Sequence, residues 1–174
     1  SANEMRIDII RMLQKAGSGH PGGSLSLIDI LTDIFFRWIK RTPENAADPD
    51  RHRLVLSKGH GVPALYAVLA RCGVIPHDDL QELRMVGSYL QGHPHNGSLP
   101  AVEASTGSLG QGLSIAQGMA MTAKLDKKPY KIYCVMGDGE SQEGQVWEAL
   151  LSAPHHKLDN LIVVLDYNKG QIDG

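Results

Sequence analysis

Two short apolar, β-branched runs joined by a segment of helical period constrain the fold of this chain most. The first run ends at Gly137, and the second extends from Leu161 to Leu165. A strand, a helix and a second strand in this order form a unit whose two strands lie parallel and usually side by side. The sequence therefore predicts an α/β fold, a parallel twisted sheet flanked by helices, with the carboxyl ends of both strands at one edge.

A polar residue follows each of these two runs. Asp138 comes directly after the first, between two glycines, and Asn168 comes shortly after the second. Carboxylate and amide oxygens suit a small divalent cation, Mg²⁺ or Ca²⁺, whose other ligands are water and phosphate. Gly-Asp-Gly alone is more often only a tight turn. Its pairing with Asn168, together with N–H groups at the start of the next helix, predicts a metal-bridged diphosphate site.

The remaining apolar spacing predicts one more strand and several helices. A buried strand at 54–56 leads into a glycine-flanked loop that contains His60, which places His60 at the same sheet edge. The stretch 18–23 is too rich in glycine to be regular. Helices are predicted at about 4–16, 25–40, 63–71 and 78–84, with a long one that opens at 106 and runs to about 124.

Three histidines, His20, His60 and His93, share a setting in glycine-flanked loops. A single loop histidine is more often exposed than functional, but three of them, with at least one at the predicted sheet edge, favour a common site. Histidine can hydrogen-bond a sugar hydroxyl or a phosphate and can move a proton near neutral pH. Their spacing is not that of a zinc site.

One face of the long helix carries almost no side-chain volume, because it consists of Gly112, Ala116, Ala120 and Ala123. Small residues at this spacing let another helix approach closely. The partner is either a helix of the same chain or a second copy, so self-association across this face is expected.

Composition excludes several classes of protein. A net charge of −2 without a basic run argues against a nucleic-acid partner. No apolar run approaches the roughly 18 residues that a membrane span needs, so no membrane association is expected. Cys72 and Cys134 lie in apolar segments without metal spacing. Reduced, buried thiols in a cytoplasmic protein are the expectation.

Five motifs in order resemble those of the transketolases, and most closely the N-terminal, diphosphate-binding subunit of the split, two-gene form. They lie at 16–24, 56–61, 90–94 and 105–112, with the fifth running from Gly137 to Asn168. Ser108 stands where full-length transketolases commonly have proline, which fits the split form. The resemblance implies a thiamine-diphosphate-binding fold over residues 1–174, incomplete at its C-terminus.

The resemblance also assigns site residues. It implies Mg²⁺ on Asp138, Asn168 and the Gly170 carbonyl, and a diphosphate held by His60, Gly139 and Asn168. The remaining cofactor residues would be Gly107, Leu109, Glu140 and Ile172, and the sugar-binding catalytic residues would be His20, His60 and His93. Glu143 resembles the acid that links two active sites through the subunit interface.

The activity that this resemblance implies is the transfer of a two-carbon ketol unit from a ketose phosphate to an aldose phosphate, in the pentose phosphate pathway. The glutamate that activates the cofactor lies, in this family, in a pyrimidine-binding domain that is absent from these residues. We therefore expect a subunit that works only with a C-terminal partner. A deoxyxylulose-phosphate-synthase-like enzyme, a transketolase-like enzyme for unusual sugars and a non-catalytic cofactor-binding module remain alternatives.

Two further departures from the family pattern carry expectations. Pro154 falls inside the helix after Gly-Asp-Gly and is expected to end or kink it early. Lys169 and Gly170 give the predicted metal loop more flexibility than an apolar residue would.

Overall fold

The structure is a computed structural model that describes residues 1–171 as a parallel sheet between two layers of helices. The strands are β1 (Arg53–Leu56), β2 (Ile132–Gly137) and β3 (Leu161–Asp166). The helices are α1 (Ala2–Ala16), α2 (Pro21–Asp33), α3 (Val62–Arg71), α4 (Gln111–Leu125) and α5 (Gly144–His155). Short 3₁₀ turns occupy Gly59–Gly61, His77–Glu82 and Gly139–Gln142, and a π-helical turn occupies Ile34–Ile39.

The strand order β1-β2-β3 confirms the predicted parallel sheet. β2 lies in the centre, where Cys134 is opposite Val55 on β1 and Val163 on β3. Helix α5 connects β2 to β3, so the strand-helix-strand unit expected from the two apolar runs is present. All of β2 is buried, whereas β3 at the edge is only partly covered.

Side chains that alternate along the strands pack against both layers of helices. Leu54, Tyr133 and Val135 pack into the cluster formed by α1, α2 and α3. Val55 and Cys134 point the other way, into the cluster with α4 and α5. Because successive side chains leave opposite faces of a strand, one apolar run supplies both cores.

The small-residue face of α4 is filled from within the chain. Ala116, Ala120 and Ala123 are each fully buried in the cluster that α4 forms with the sheet and α5. A side chain at Gly112 would collide with Ser57, at the end of β1. A second copy therefore cannot pack on this face, and the expectation of self-association through it is wrong.

Several helix ends differ from the predicted ones. α2 begins at Pro21, since proline fits the first helical turn, so only 18–20 of the glycine-rich stretch is irregular. The predicted helix at 78–84 is instead a 3₁₀ turn, and α4 begins only at Gln111. α5 ends at His155, one residue after Pro154, which agrees with the early end expected from this proline. Among the described residues, no helix is long and apolar enough to cross a membrane.

Candidate functional site

A cavity of about 420 Å³ lies at the carboxyl edge of the sheet. Volumes of roughly 300–1,000 Å³ are typical of small-molecule and cofactor sites. Every predicted site residue that the structure describes lines it: His20, His60, His93, Gly107, Leu109, Asp138, Gly139, Glu140, Glu143, Asn168 and Gly170. Ile172 lies outside the described residues. The structure thus brings the predicted side chains to one cavity, while their individual roles stay predictions.

The loops after β2 and β3 contact each other where both line the cavity. The Asp138 Oδ2 accepts a hydrogen bond of 2.7 Å from the Lys169 N–H, and the Asn168 Oδ1 accepts one of 2.8 Å from the Gly170 N–H. The carboxylate and the amide oxygen therefore lie beside consecutive N–H groups of one loop. Lys169 holds a left-handed φ of 58° to make this turn.

This arrangement suits a divalent metal with a diphosphate. One carboxylate, one amide oxygen and a backbone carbonyl are hard oxygen donors, and Mg²⁺ commonly completes such a partial set with water and phosphate oxygens. Within residues 1–171 no group of three or more His, Cys, Asp or Glu could hold a metal. A metal at this edge would therefore depend on the ligand's own oxygens for part of its coordination.

The three histidines form one wall of the cavity. The ring centroids of His20 and His60 are 5.6 Å apart, and those of His20 and His93 are 6.2 Å apart. The buried Nδ1 of His20 has no hydrogen-bond partner among the described residues. A buried polar atom without a partner is unfavourable, so a ligand hydroxyl or phosphate that reached this nitrogen would stabilise it.

Close backbone contact explains two of the glycines around this wall. A β-carbon at Gly23 would lie 2.6 Å from the His60 ring, and one at Gly59 would lie 2.7 Å from the backbone N of Gly107. Any larger residue would push His60 or the Gly107 loop out of place.

Burial sets the charge of His60. Its pKa is lowered from 6.5 to about 4, first by burial and then by the positive charge of the nearby Lys58. Burial and the guanidinium of Arg84 also lower the pKa of His93. His60 is therefore neutral at pH 7, when it can accept one hydrogen bond and donate another.

The depressed pKa of His60 predicts a loss of stability in acid. Between pH 6.5 and about 4, His60 binds a proton in the unfolded chain but not in the folded chain. The free energy of unfolding therefore falls as the pH is lowered through this window. We expect His60→Gln to reduce that fall. Urea unfolding at pH 7 and at pH 5 gives the free energy of unfolding at each pH. An equal difference between the two pH values for the wild type and His60→Gln would contradict the assignment.

The side chain of Glu140 is held by three donors from the same chain. Its carboxylate accepts hydrogen bonds from the Ser57 hydroxyl, the Gly110 N–H at 2.9 Å and the Gly137 N–H at 3.1 Å. Glu140 is 2% exposed. Donors from the same chain therefore occupy the carboxylate, and Glu140 ties the ends of β1 and β2 to the start of α4. Glu140 also lines the cavity, and its contact with a cofactor stays a prediction.

A buried ion pair under the cavity was not predicted. The Lys58 Nζ lies 2.5 Å from the Asp166 Oδ2, and the side chains are only 1% and 6% exposed. Ser26 also donates to that carboxylate oxygen, at 2.6 Å. The sequence signal was a charged residue at the end of each apolar strand, where a buried charge needs a partner.

The contacts of Arg84 near the cavity were also not predicted from the sequence. Its guanidinium donates to the Ser18 hydroxyl at 3.3 Å, in the loop that leads to His20. A β-carbon at Gly92, next to His93, would lie 2.7 Å from the Arg84 Nε. Arg84 thus joins the loops that carry His20 and His93.

Comparison with known proteins shows similarity over nearly the whole chain. The family described as "Transketolase, thiamine diphosphate binding domain" matches residues 1–174. The 6-deoxy-6-sulfo-D-fructose transketolase subunit of a Clostridium species is 48% identical over 99% of this chain and 63% of its own length. An apulose-4-phosphate transketolase subunit of Phocaeicola vulgatus is 43% identical over 95% of this chain and 59% of its own length.

A solved structure extends the comparison to three dimensions. The transketolase of Campylobacter jejuni superposes with a TM-score of 0.92 at 41% sequence identity, over 99% of this chain and 28% of that one. This chain thus spans about three fifths of the two subunit relatives and just over a quarter of the solved transketolase.

Proposed function

Because the chain belongs to the transketolase family, as its thiamine-diphosphate-binding domain, we propose that it is one subunit of a two-chain transketolase. The reaction is the transfer of a two-carbon ketol unit from a ketose phosphate to an aldose phosphate. The observation that carries this proposal is a single cavity lined both by two hard oxygen donors, Asp138 and Asn168, and by a cluster of three histidines.

The metal end of the cavity would hold the diphosphate. Asp138, Asn168 and the Gly170 carbonyl would bind Mg²⁺, and the Gly139 N–H and His60 would contact the phosphate oxygens. Gly107 and Leu109 would lie against the rings of the cofactor. Bound thiamine diphosphate supplies the carbanion stabilisation that ketol transfer needs.

The histidine end would bind the sugar. His20, with its unpartnered Nδ1, and His93 would hydrogen-bond sugar hydroxyls. His60 is neutral at pH 7 and can therefore accept a proton from a hydroxyl or return it. Glu143 is exposed where α5 begins, at the rim of the cavity, and would extend toward the second active site across a subunit interface.

A C-terminal partner would complete the enzyme. The proposal treats 1–174 as the diphosphate-binding domain and assigns the pyrimidine-binding domain, with its activating glutamate, to the partner. Support comes from two relatives that are themselves named transketolase subunits. A cytoplasmic location fits the two free cysteines, Cys72 and Cys134.

The sugar substrate is the part of the proposal for which the relatives suggest a specific alternative. We propose the pentose phosphate pathway sugars, but both subunit relatives are named for other substrates, a sulfosugar and apulose 4-phosphate. A transketolase for such a sugar is therefore the second candidate.

Ketol transfer by the reconstituted enzyme tests the proposal. The protein, its partner subunit, Mg²⁺ and thiamine diphosphate are mixed, and transfer from xylulose 5-phosphate to ribose 5-phosphate is followed by product formation. We expect turnover of about 1–100 per second with the cognate sugars. Transfer only with the sulfosugar or apulose 4-phosphate would select the second candidate. A stable complex inactive with every pair would indicate a non-catalytic module.

A further inference from the structure

The side-chain amide of Asn168 is held on both sides. Its Nδ2 donates to the Ser26 Oγ at 3.3 Å, and its Oδ1 accepts the Gly170 N–H at 2.8 Å. Ser26 lies on α2, at the opposite end of the chain from this loop. The predicted metal ligand therefore has a partner that belongs to a distant element.

The hydroxyl of Ser26 has only one proton to donate. Its shortest contact is the Asp166 Oδ2 at 2.6 Å, whereas the Gly23 carbonyl is 3.4 Å away. A hydroxyl donates preferentially to a nearby carboxylate, because charge-assisted hydrogen bonds are stronger. Lys58 strengthens this choice, since its Nζ donates to the same carboxylate and lies 3.5 Å from the Ser26 Oγ. The Ser26 oxygen is thus left as an acceptor toward Asn168.

We propose that Ser26 is a positioning residue that fixes the Asn168 amide with its oxygen toward the metal. This inference rests on the proposed function, in which Asn168 is a metal ligand. If the amide were turned over, its oxygen would face the acceptor oxygen of Ser26, and its NH₂ group would face the Gly170 N–H. Both contacts would be repulsive, so the two partners select one orientation.

The orientation matters because only the amide oxygen can bind a cation. A turned amide would present two N–H donors to the metal. Partners that orient a metal ligand commonly change metal affinity 10- to 100-fold when they are removed. Ser26 thereby connects the metal loop to α2, whose N-cap residue is the cavity histidine His20.

Mn²⁺ binding tests the proposal without any need for turnover. The protein in complex with its partner subunit, in the presence of thiamine diphosphate, is titrated with Mn²⁺, and the free ion is measured by electron paramagnetic resonance. We expect Ser26→Ala to weaken Mn²⁺ binding about 10-fold. Ser26→Thr, which keeps a hydroxyl, is expected to stay within about twofold of the wild type.

Thr32→Ala is the matched control. Thr32 lies on the same helix, and its hydroxyl donates within α2 to the Ile28 carbonyl at 2.6 Å. Its removal should leave Mn²⁺ affinity unchanged. Ser26→Cys provides a second variant of nearly the same size, with a weak acceptor, should Ser26→Ala fail to fold.

A double-mutant cycle separates orientation from simple structural support. Asn168→Asp places oxygens on both sides of the group, so that no amide remains to be oriented. We expect Ser26→Ala to change Mn²⁺ affinity less than about twofold in this background. An equal loss in both backgrounds would show a merely structural role for Ser26 and would overturn the inference.

The outcomes also separate this inference from the proposed function. If Asp138→Ala abolishes Mn²⁺ binding while Ser26→Ala and Ser26→Cys bind as the wild type does, the inference is wrong and the metal site stands. If the wild type fails to bind Mn²⁺, or Asp138→Ala binds normally, the proposed site itself is wrong.

Discussion

Replacing Lys58 with methionine is expected to destabilise the fold by about 3–5 kcal/mol. The substitution removes the ammonium group and leaves the Asp166 side chain, which is only 6% exposed, without the Lys58 charge that compensates it. Breaking one member of a buried ion pair costs this much because the remaining ion stays out of water. Urea unfolding at pH 7, monitored by circular dichroism, measures the change.

Two controls show whether the cost comes from the orphaned charge. Lys128→Met removes a lysine from an exposed ion pair with Asp50 and should change stability little. Lys58→Met combined with Asp166→Leu removes both buried charges and should recover most of the loss. A Lys58→Met protein as stable as the wild type would show that the pair is not a buried, coupled unit.

The sheet edge and its main residues were predictable from the sequence because local patterns determine them. Two apolar runs with a helix between them place Asp138 and Asn168 at neighbouring strand ends. The same topology brings His60 to that edge, after β1. Periodicity and strand order were sufficient here, since parallel strands share the direction of their carboxyl ends.

The polar contacts under the cavity could not be predicted, because they join residues far apart in sequence. Lys58 pairs with Asp166 across 108 positions, and Ser57 pairs with Glu140 across 83. No local period specifies such partners. Their only sequence signal is the presence of polar residues at positions that the sheet topology buries.

The small-residue face of α4 failed as a prediction for a related reason. Small side chains indicate close approach but do not identify the partner. Ala116 and Ala120 pack against the sheet and α5 of the same chain, so their spacing reflects the core of the domain. An interface with another copy would have to use other surfaces.

Asp138→Ala is expected to abolish metal-dependent cofactor binding. Asp138 is the one anionic side chain among the proposed ligands, and its Oδ2 also accepts the Lys169 N–H that shapes the metal loop. Alanine would therefore remove a charge from the metal and release the loop that carries Asn168 and Gly170. We expect cofactor affinity to fall by at least about 100-fold, the upper end for a change that also disturbs ligand positioning.

Asp126→Ala is the matched control for this variant. Asp126 is an exposed carboxylate that follows α4, outside the cavity. Its loss should leave cofactor affinity unchanged, and unfolding curves of both variants establish that each is folded.

Calorimetric titration of thiamine diphosphate into the protein with its partner subunit measures the proposed metal-bridged site directly. The titration is performed with Mg²⁺ and again with EDTA. We predict saturable binding by the wild type only with Mg²⁺, and none by Asp138→Ala under either condition. Binding of equal strength in EDTA, or normal Mg²⁺-dependent binding by Asp138→Ala, would contradict a metal-bridged diphosphate at the ends of β2 and β3.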